Sequence, residues 1–401
     1  MANNMYRKAK SAIVIFMVAI LTACGGGGGA PATVVAPPVV VVDALHKNYA
    51  KIGYYNDQQS QSSSDQLFHD WIDRFASTGY TGVTFELTVS VDNNGVLLHN
   101  LTYDRMYQLI DYAKSKGLAT GILYNWTFND SNSDYIAEAI YGQINPTGFS
   151  TVELLNSADR FFQAESIKFK QHNVDIVWVA NEMQDSFTDA YVPKWTAILT
   201  NIRSVYPGKI STFARSSGHY SASTVDVYKV WQLMDAVSIR AVPFASDTPI
   251  YDADTVASRF FFDPIRNYHF VDEVKQAKLT YGKPIVLSLT AFATDTTMSG
   301  GDDPTYAQSV AYPASFNTLA RATMYDAYLR LVSNSLQGVV TSMVIGNYEP
   351  WATFTFTQPS WDAFKHFSLT LFPDDVTSIL REYFNDPTHY RLLVGQTYPL
   401  Q

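Results

Sequence analysis

Cysteine is almost absent. The 401 residues hold one, Cys24, so the chain can form no internal disulfide and no zinc site built from thiolates. Charged residues are sparse as well, at 16%, and they sum to −9. That balance leaves no basic surface to neutralise phosphates and argues against a nucleic-acid partner. The apolar run at residues 12–21 is too short to cross a membrane as a stable helix. The eight histidines form no HExxH pair, and there is neither a GxSxG nucleophile elbow nor a phosphate-binding glycine loop, since the glycines at 25–29 stand in a low-complexity stretch. No fixed-period repeat is visible, which excludes a solenoid. No cofactor is expected. Asp302 and Asp303, in a glycine turn, are a candidate calcium contact and equally an ordinary solvated loop.

The chain has apolar surface in quantity, 47% hydrophobic and 14% aromatic, enough to bury a large core. Arg7, Lys8 and Lys10 before the run at 12–21 make the pattern of a secretory signal. The run closes on Leu21-Thr22-Ala23-Cys24, which resembles the lipobox of bacterial lipoproteins. That resemblance implies that Cys24 is lipidated and becomes the mature amino terminus; the alternative is an ordinary signal with an incidental cysteine. Residues 25–42, glycine and then Ala/Pro/Val-rich, read as a flexible tether followed by a stiffer one. The expected partition is a lipoprotein signal at 1–23, a lipidated tether at 24–42 and one domain at 43–401. The expected setting is the bacterial cell envelope, with a monomer anchored in a membrane leaflet that the sequence does not specify.

From residue 43 short apolar strands alternate with amphipathic helices. Residues 51–56 and 82–89 read as the first two strands, and the helix between them carries Leu67, Phe68, Trp71, Ile72 and Phe75 on one face. In the second strand Val83, Phe85, Leu87 and Val89 alternate with Thr84, Glu86 and Thr88. Facing the apolar set toward covering helices turns Glu86 inward. Further strands are predicted at 118–126, 174–182, 209–215, 236–242, 283–290 and 338–346, with helices at 103–115, 152–171, 192–205 and 315–335. A terminal helix is expected at 374–385, and an aromatic loop with Tyr251, Phe260, Phe261, Phe262 and Tyr268 runs from 243 to about 270. Eight such alternations predict an α/β fold, a single-domain (β/α)8 TIM barrel.

Residues 174–182 form an apolar run too short for a helix, ending on Asn181 and Glu182. A buried parallel strand fits, and a (β/α)8 barrel places its working residues at the carboxyl end of such strands. Asn181-Glu182, with Lys283-Pro284-Ile285-Val286 opening strand seven, resembles the clan A glycoside hydrolases. The resemblance implies hydrolysis of a poly- or oligosaccharide, with Glu182 as general acid/base and Asn181 binding the sugar 2-hydroxyl. It also implies a glutamate nucleophile ending strand seven, where this chain reads Leu287-Ser288-Leu289-Thr290-Ala291 and has no acid until Asp295.

Three carboxylates are candidates for the second role. Glu349 follows strand eight in Asn347-Tyr348-Glu349-Pro350-Trp351 and is the first choice. Strand eight stands opposite strand four, and a gap of roughly 6.5–9.5 Å would admit a water for an inverting reaction. Glu86 and Asp295 are the others. Arg215 and Arg240 end strands five and six, as ligands for an acidic sugar or as partners that neutralise Glu86 and Glu182. Tyr55, Tyr124, Trp126 and Trp351 are candidate stacking platforms and equally candidate core, and Asn347 completes the substrate-binding set. Two other functions compete with hydrolysis: a carbohydrate-binding lipoprotein without turnover, and a surface protein that uses the barrel only as a scaffold.

Overall fold

Strand β1 (Asn48–Tyr55) is the first of nine in a single sheet, followed by β2 (Gly82–Val91), β3 (Ala119–Asn129), β4 (Ile136–Glu138), β5 (Ile176–Asn181), β6 (Lys209–Arg215), β7 (Val237–Ala241), β8 (Ile285–Leu289) and β9 (Val340–Tyr348). The computed structural model describes residues 43–55, 57, 64–92, 94, 96–97, 102–129, 136–138, 150–216, 228–241, 246, 248–262, 268–291, 318–348 and 374–391. The side chains at 55, 127–129, 136–138, 184–185, 215, 318, 347–348 and 374–375 stand outside that description. All strands but β4 pair in parallel, and the ring closes through β1–β9 and β2–β3, giving a (β/α)8 barrel. The short β4 lies antiparallel on the end of β3, an addition that sequence reading missed.

The helices cover this ring: α1 (Asp65–Thr78), α2 (Asp104–Ser115), α3 (Thr151–Gln171), α4 (Val192–Arg203), α5 (Val230–Leu233), α6 (Ala253–Arg259), α7 (Phe270–Tyr281), α8 (Thr318–Ser333) and α9 (Asp374–Asn385). Their starts follow local chemistry, as Ser64, Ser150 and Asp252 each accept a hydrogen bond from the first turn of α1, α3 and α6. The stretch read as a continuous aromatic loop holds α6, and α7 follows it: Phe270, Val271, Val274 and Ala277 sit at helical spacing and are buried. Among the described residues no helix is long and apolar enough to cross a membrane.

Two apolar layers result from strand alternation. In β2, Val83, Phe85, Leu87, Val89 and Val91 join the large core between sheet and helices. A second, smaller cluster fills the barrel: Tyr49, Leu123, Ile176, Trp178, Phe213, Val286 and Val344, with Ala44 and Leu45 from the turn before β1. The Tyr49 hydroxyl donates to the Ala44 carbonyl at 2.9 Å. Trp178 lies stacked on Phe213 at 5.4 Å between centroids, meets Tyr49 edge-on at 5.6 Å, and donates its indole N–H to Ser238 Oγ at 3.0 Å. These rings fit because glycine stands opposite them. A Cβ on Gly121 would lie 2.7 Å from the Trp178 ring, and one on Gly82 would lie 2.5 Å from Tyr49.

Candidate active site

Above that aromatic floor, β5 breaks its own alternation. Trp178 pairs with Ser211 and Asn181 with Phe213, so three steps along β5 match two along β6, which is a β-bulge. Trp178 belongs to the cluster inside the barrel, whereas Val179 and Ala180 both belong to the helix-facing core. Without the extra residue Asn181 would face outward. The bulge turns it back inside. Its displaced carbonyls are satisfied by side chains: the Trp126 indole donates to Val179 O at 3.0 Å and Thr212 Oγ1 to Ala180 O at 2.9 Å.

Glu182 follows with φ +56°, a left-handed backbone that costs a non-glycine residue on the order of 1 kcal/mol or more and tends to occur at functional sites. Its N–H donates to Phe213 O at 2.9 Å, which ties this turn to β6. The side chain has no exposure and forms an ion pair with Arg240 Nη1, while Arg240 itself keeps 18% of its side chain exposed.

A second set of polar side chains runs beside this pair. Asn181 Nδ2 donates to Asn125 Oδ1 at 2.8 Å, Asn125 Nδ2 donates to Glu86 Oε1 at 2.7 Å, and Lys51 Nζ lies 3.1 Å from Glu86 Oε2. All four are buried, and they come from β5, β3, β2 and β1. Burial pushes the Glu86 carboxyl up. The charge of Lys51, the hydrogen bonds from Asn125 and Lys51 and the charge of Arg240 outweigh it, so Glu86 sits below the ordinary glutamate value.

Several expectations change at this point. Trp126 is 1% exposed and packs edge-on against Phe161 and Phe162 of α3, so it is core and holds the bulge; it is no stacking platform. Tyr124 is fully buried in the same layer. The register pairs Arg215 with Arg240, and Tyr55 and Asn347 stand near the ends of β1 and β9, with the side chains of Arg215, Tyr55 and Asn347 outside the description. Glu349, Trp351, Asp295, Asp302, Asp303 and Cys24 lie outside the described residues. At the end of β8 the seventh strand of the ring presents no acid: Ser288 is buried, and Leu289 packs into the helix-facing core. Lys283 donates to the carbonyls of Trp231, Gln232 and Met234, so it closes the end of α5. Among the described residues no group of His, Cys, Asp and Glu converges to hold a metal ion.

Sequence reading missed Lys51 and Asn125. Both carry a legible signal, a polar side chain at an inward position of a strand whose other face is apolar: Ala50 and Ile52 flank Lys51, and Tyr124 and Trp126 flank Asn125.

No protein-family model matches the chain, and no curated protein matches it. Solved structures do. The backbone is similar to a GH113 β-1,4-mannanase, with a TM-score of 0.59 at 16% identity over 85% of this chain and 99% of that one. It is similar also to the GH113 β-mannanase of Alicyclobacillus acidocaldarius, with a TM-score of 0.62 at 11% identity over 86% and 99%. An exo-β-1,4-mannosidase from Opitutaceae bacterium strain TAV5 gives 0.54 at 14% identity, over 85% of this chain and 60% of that one. At such identities the likeness shows the shared barrel fold.

Proposed function

We propose that this protein is an exported glycoside hydrolase acting on a poly- or oligosaccharide, with a β-1,4-mannan as the first substrate to test. The observation that supports the reading is the bulge in β5, which turns Asn181 inward next to Glu182 at the carboxyl end of a (β/α)8 barrel. The named activities of the similar solved structures suggest the mannan. In this reading Glu182 protonates the leaving glycosidic oxygen. To do so its carboxylate leaves Arg240, takes a proton from water and passes that proton to the oxygen of the bond that breaks. Glu349, which follows β9 four strands round the ring from β5, is the proposed second carboxylate, and activation of a water from there would invert the anomeric centre.

A non-catalytic carbohydrate-binding role is the second reading, favoured by one observation: Glu182 is engaged by Arg240 while β8 ends on Leu289 where a nucleophile would stand. One experiment separates the two. A panel of polysaccharides is offered to wild type and to Glu182→Gln, and cleavage and retention are scored independently. Hydrolysis requires cleavage by wild type that Glu182→Gln loses while retaining binding. Retention without cleavage by either protein favours the second reading. Lipid anchoring through Cys24 belongs to the same proposal, and release of the protein from membranes in Cys24→Ser tests it.

A further inference from the structure

The string from Lys51 to Asn181 has a direction, and chemistry sets it independently of how any amide is drawn. Lys51 Nζ can only donate. Glu86, ionised between that ammonium and Asn125, can only accept. Asn125 therefore turns its NH2 toward Glu86 and its Oδ1 toward Asn181, at 2.7 and 2.8 Å. Asn181 must answer with its NH2, which leaves its own Oδ1 as the outward end of the string. None of the described residues donates to that oxygen. Asn181 stands beside Glu182 at the carboxyl end of β5, where a ligand entering the barrel mouth arrives.

We propose that Lys51, Glu86 and Asn125 are positioning residues that fix the Asn181 amide with its carbonyl oxygen toward the ligand, so that the site selects a free hydroxyl able to donate there. This rests on the reading that the barrel mouth binds a saccharide. The same logic identifies a single isosteric change that reverses the string. In Glu86→Gln, Lys51 still donates to the side-chain oxygen at position 86, whose NH2 now faces Asn125. Asn125 flips, Asn181 flips after it, and every bond is remade with opposite polarity. Asn181 then offers a donor where it offered an acceptor. With Lys51 fixed as a donor, the charge on Glu86 decides which way the two asparagines face, and acid reverses them by protonating Glu86.

The test uses the whole chain with asparagine side chains labelled with 15N. The Asn181 NH2 signal is assigned by its loss in Asn181→Asp, and its proton exchange with solvent is followed in wild type and Glu86→Gln. Wild type is expected to protect one proton of that amide. Glu86→Gln is expected to raise its exchange by about tenfold or more, the equivalent of one lost hydrogen bond, read below the melting temperature of both proteins because Lys51 loses its carboxylate partner. Wild type taken to acid pH, with exchange referred to a free asparagine amide at the same pH, is expected to show the same gain, which keeps the test available if the variant does not fold. Equal protection, relative to the free amide at each pH, in wild type at neutral pH, in wild type at acid pH and in Glu86→Gln overturns the proposal. A parallel calorimetric titration with mannotetraose is expected to show Glu86→Gln binding about tenfold more weakly. A wild type that protects the amide yet binds no saccharide overturns the saccharide reading and supports the string, so the two failures are distinguishable.

Discussion

Arg240, on β7, reaches past β6 to the carboxylate of Glu182 at the end of β5. The pair joins a fully buried acid to a partly exposed base, so the two residues depend on each other unequally. Removing the base takes a cationic partner from a carboxylate that has no exposure.

Arg240→Met is accordingly expected to destabilise the fold by about 3–5 kcal/mol, whereas Glu182→Gln combined with Arg240→Met recovers most of that loss. Urea unfolding of the two single variants and the double variant measures the coupling. A double variant as unstable as Arg240→Met alone would show that the ion pair is not what the change disrupts.

Trp126→Phe keeps most of the packing against α3 and removes the N–H that satisfies Val179 O. An unpaired buried carbonyl costs about 1–3 kcal/mol. Because the bulge sets the facing of Asn181, saccharide binding is expected to weaken beyond what the lost stability explains. Binding compared at a temperature where wild type and variant are both fully folded checks this.

Gly121→Ala puts a methyl group 2.7 Å from the Trp178 ring, 3.0 Å from Thr84 Oγ1 and 3.2 Å from the Ile176 side chain. The expected loss is about 1–3 kcal/mol. Trp178→Phe in the same chain should return part of it by removing the second ring. A thermal melt in which Gly121→Ala matches wild type would mean the barrel interior is looser than its packing indicates.

Two buried glutamates respond to pH with opposite signs. Glu86 lies below its ordinary value, so its stabilisation is present above the unfolded value of about 4.3 and is lost as pH falls through the folded one. Lys51→Met takes away the charge that holds it down, so the variant is expected to be less stable at pH 7 and to lose less stability between pH 7 and pH 3 than wild type does. In Glu165, on α3, burial pushes the carboxyl up against the hydrogen bond from Tyr107, 2.6 Å away, and the charge of Lys168. Its contribution is therefore full below the unfolded value and lost as pH rises through the folded one. Glu165→Gln should be more stable than wild type at pH 7, with the difference closing toward pH 4, as read from urea midpoints across that range.

Most of the barrel was legible because its strands obey a period of two and its helices a period near 3.6. Alternation of Val83, Phe85, Leu87 and Val89 is enough to place Glu86 inside, and the terminal helix begins and ends at Asp374 and Asn385 as expected. Parity also explains the failures. A bulge adds one residue without altering composition, so nothing in the apolar run of β5 shows that Val179 and Ala180 face the same way. Trp126 looked like a platform because an aromatic near a strand end is equally suited to sugar and to core, and only the neighbouring Phe161 and Phe162 decide between them. Helix α7 is hard to read from sequence because Phe270 continues the aromatic stretch before it while its helical partners Val271, Val274 and Ala277 come after it. Arg240 could be weighed as a ligand or as a neutraliser, but choosing needed the three-dimensional reach from β7 to β5.

The rings of Tyr49, Trp178 and Phe213 stopper the barrel beneath the polar string, with Leu45 wedged in from below. Among the described residues these rings fill the barrel interior, so a ligand that reaches Asn181 and Glu182 has to approach and depart from the side of the strands' carboxyl ends. Any water that takes part in chemistry there must travel by the same route, alongside the ligand it is to meet.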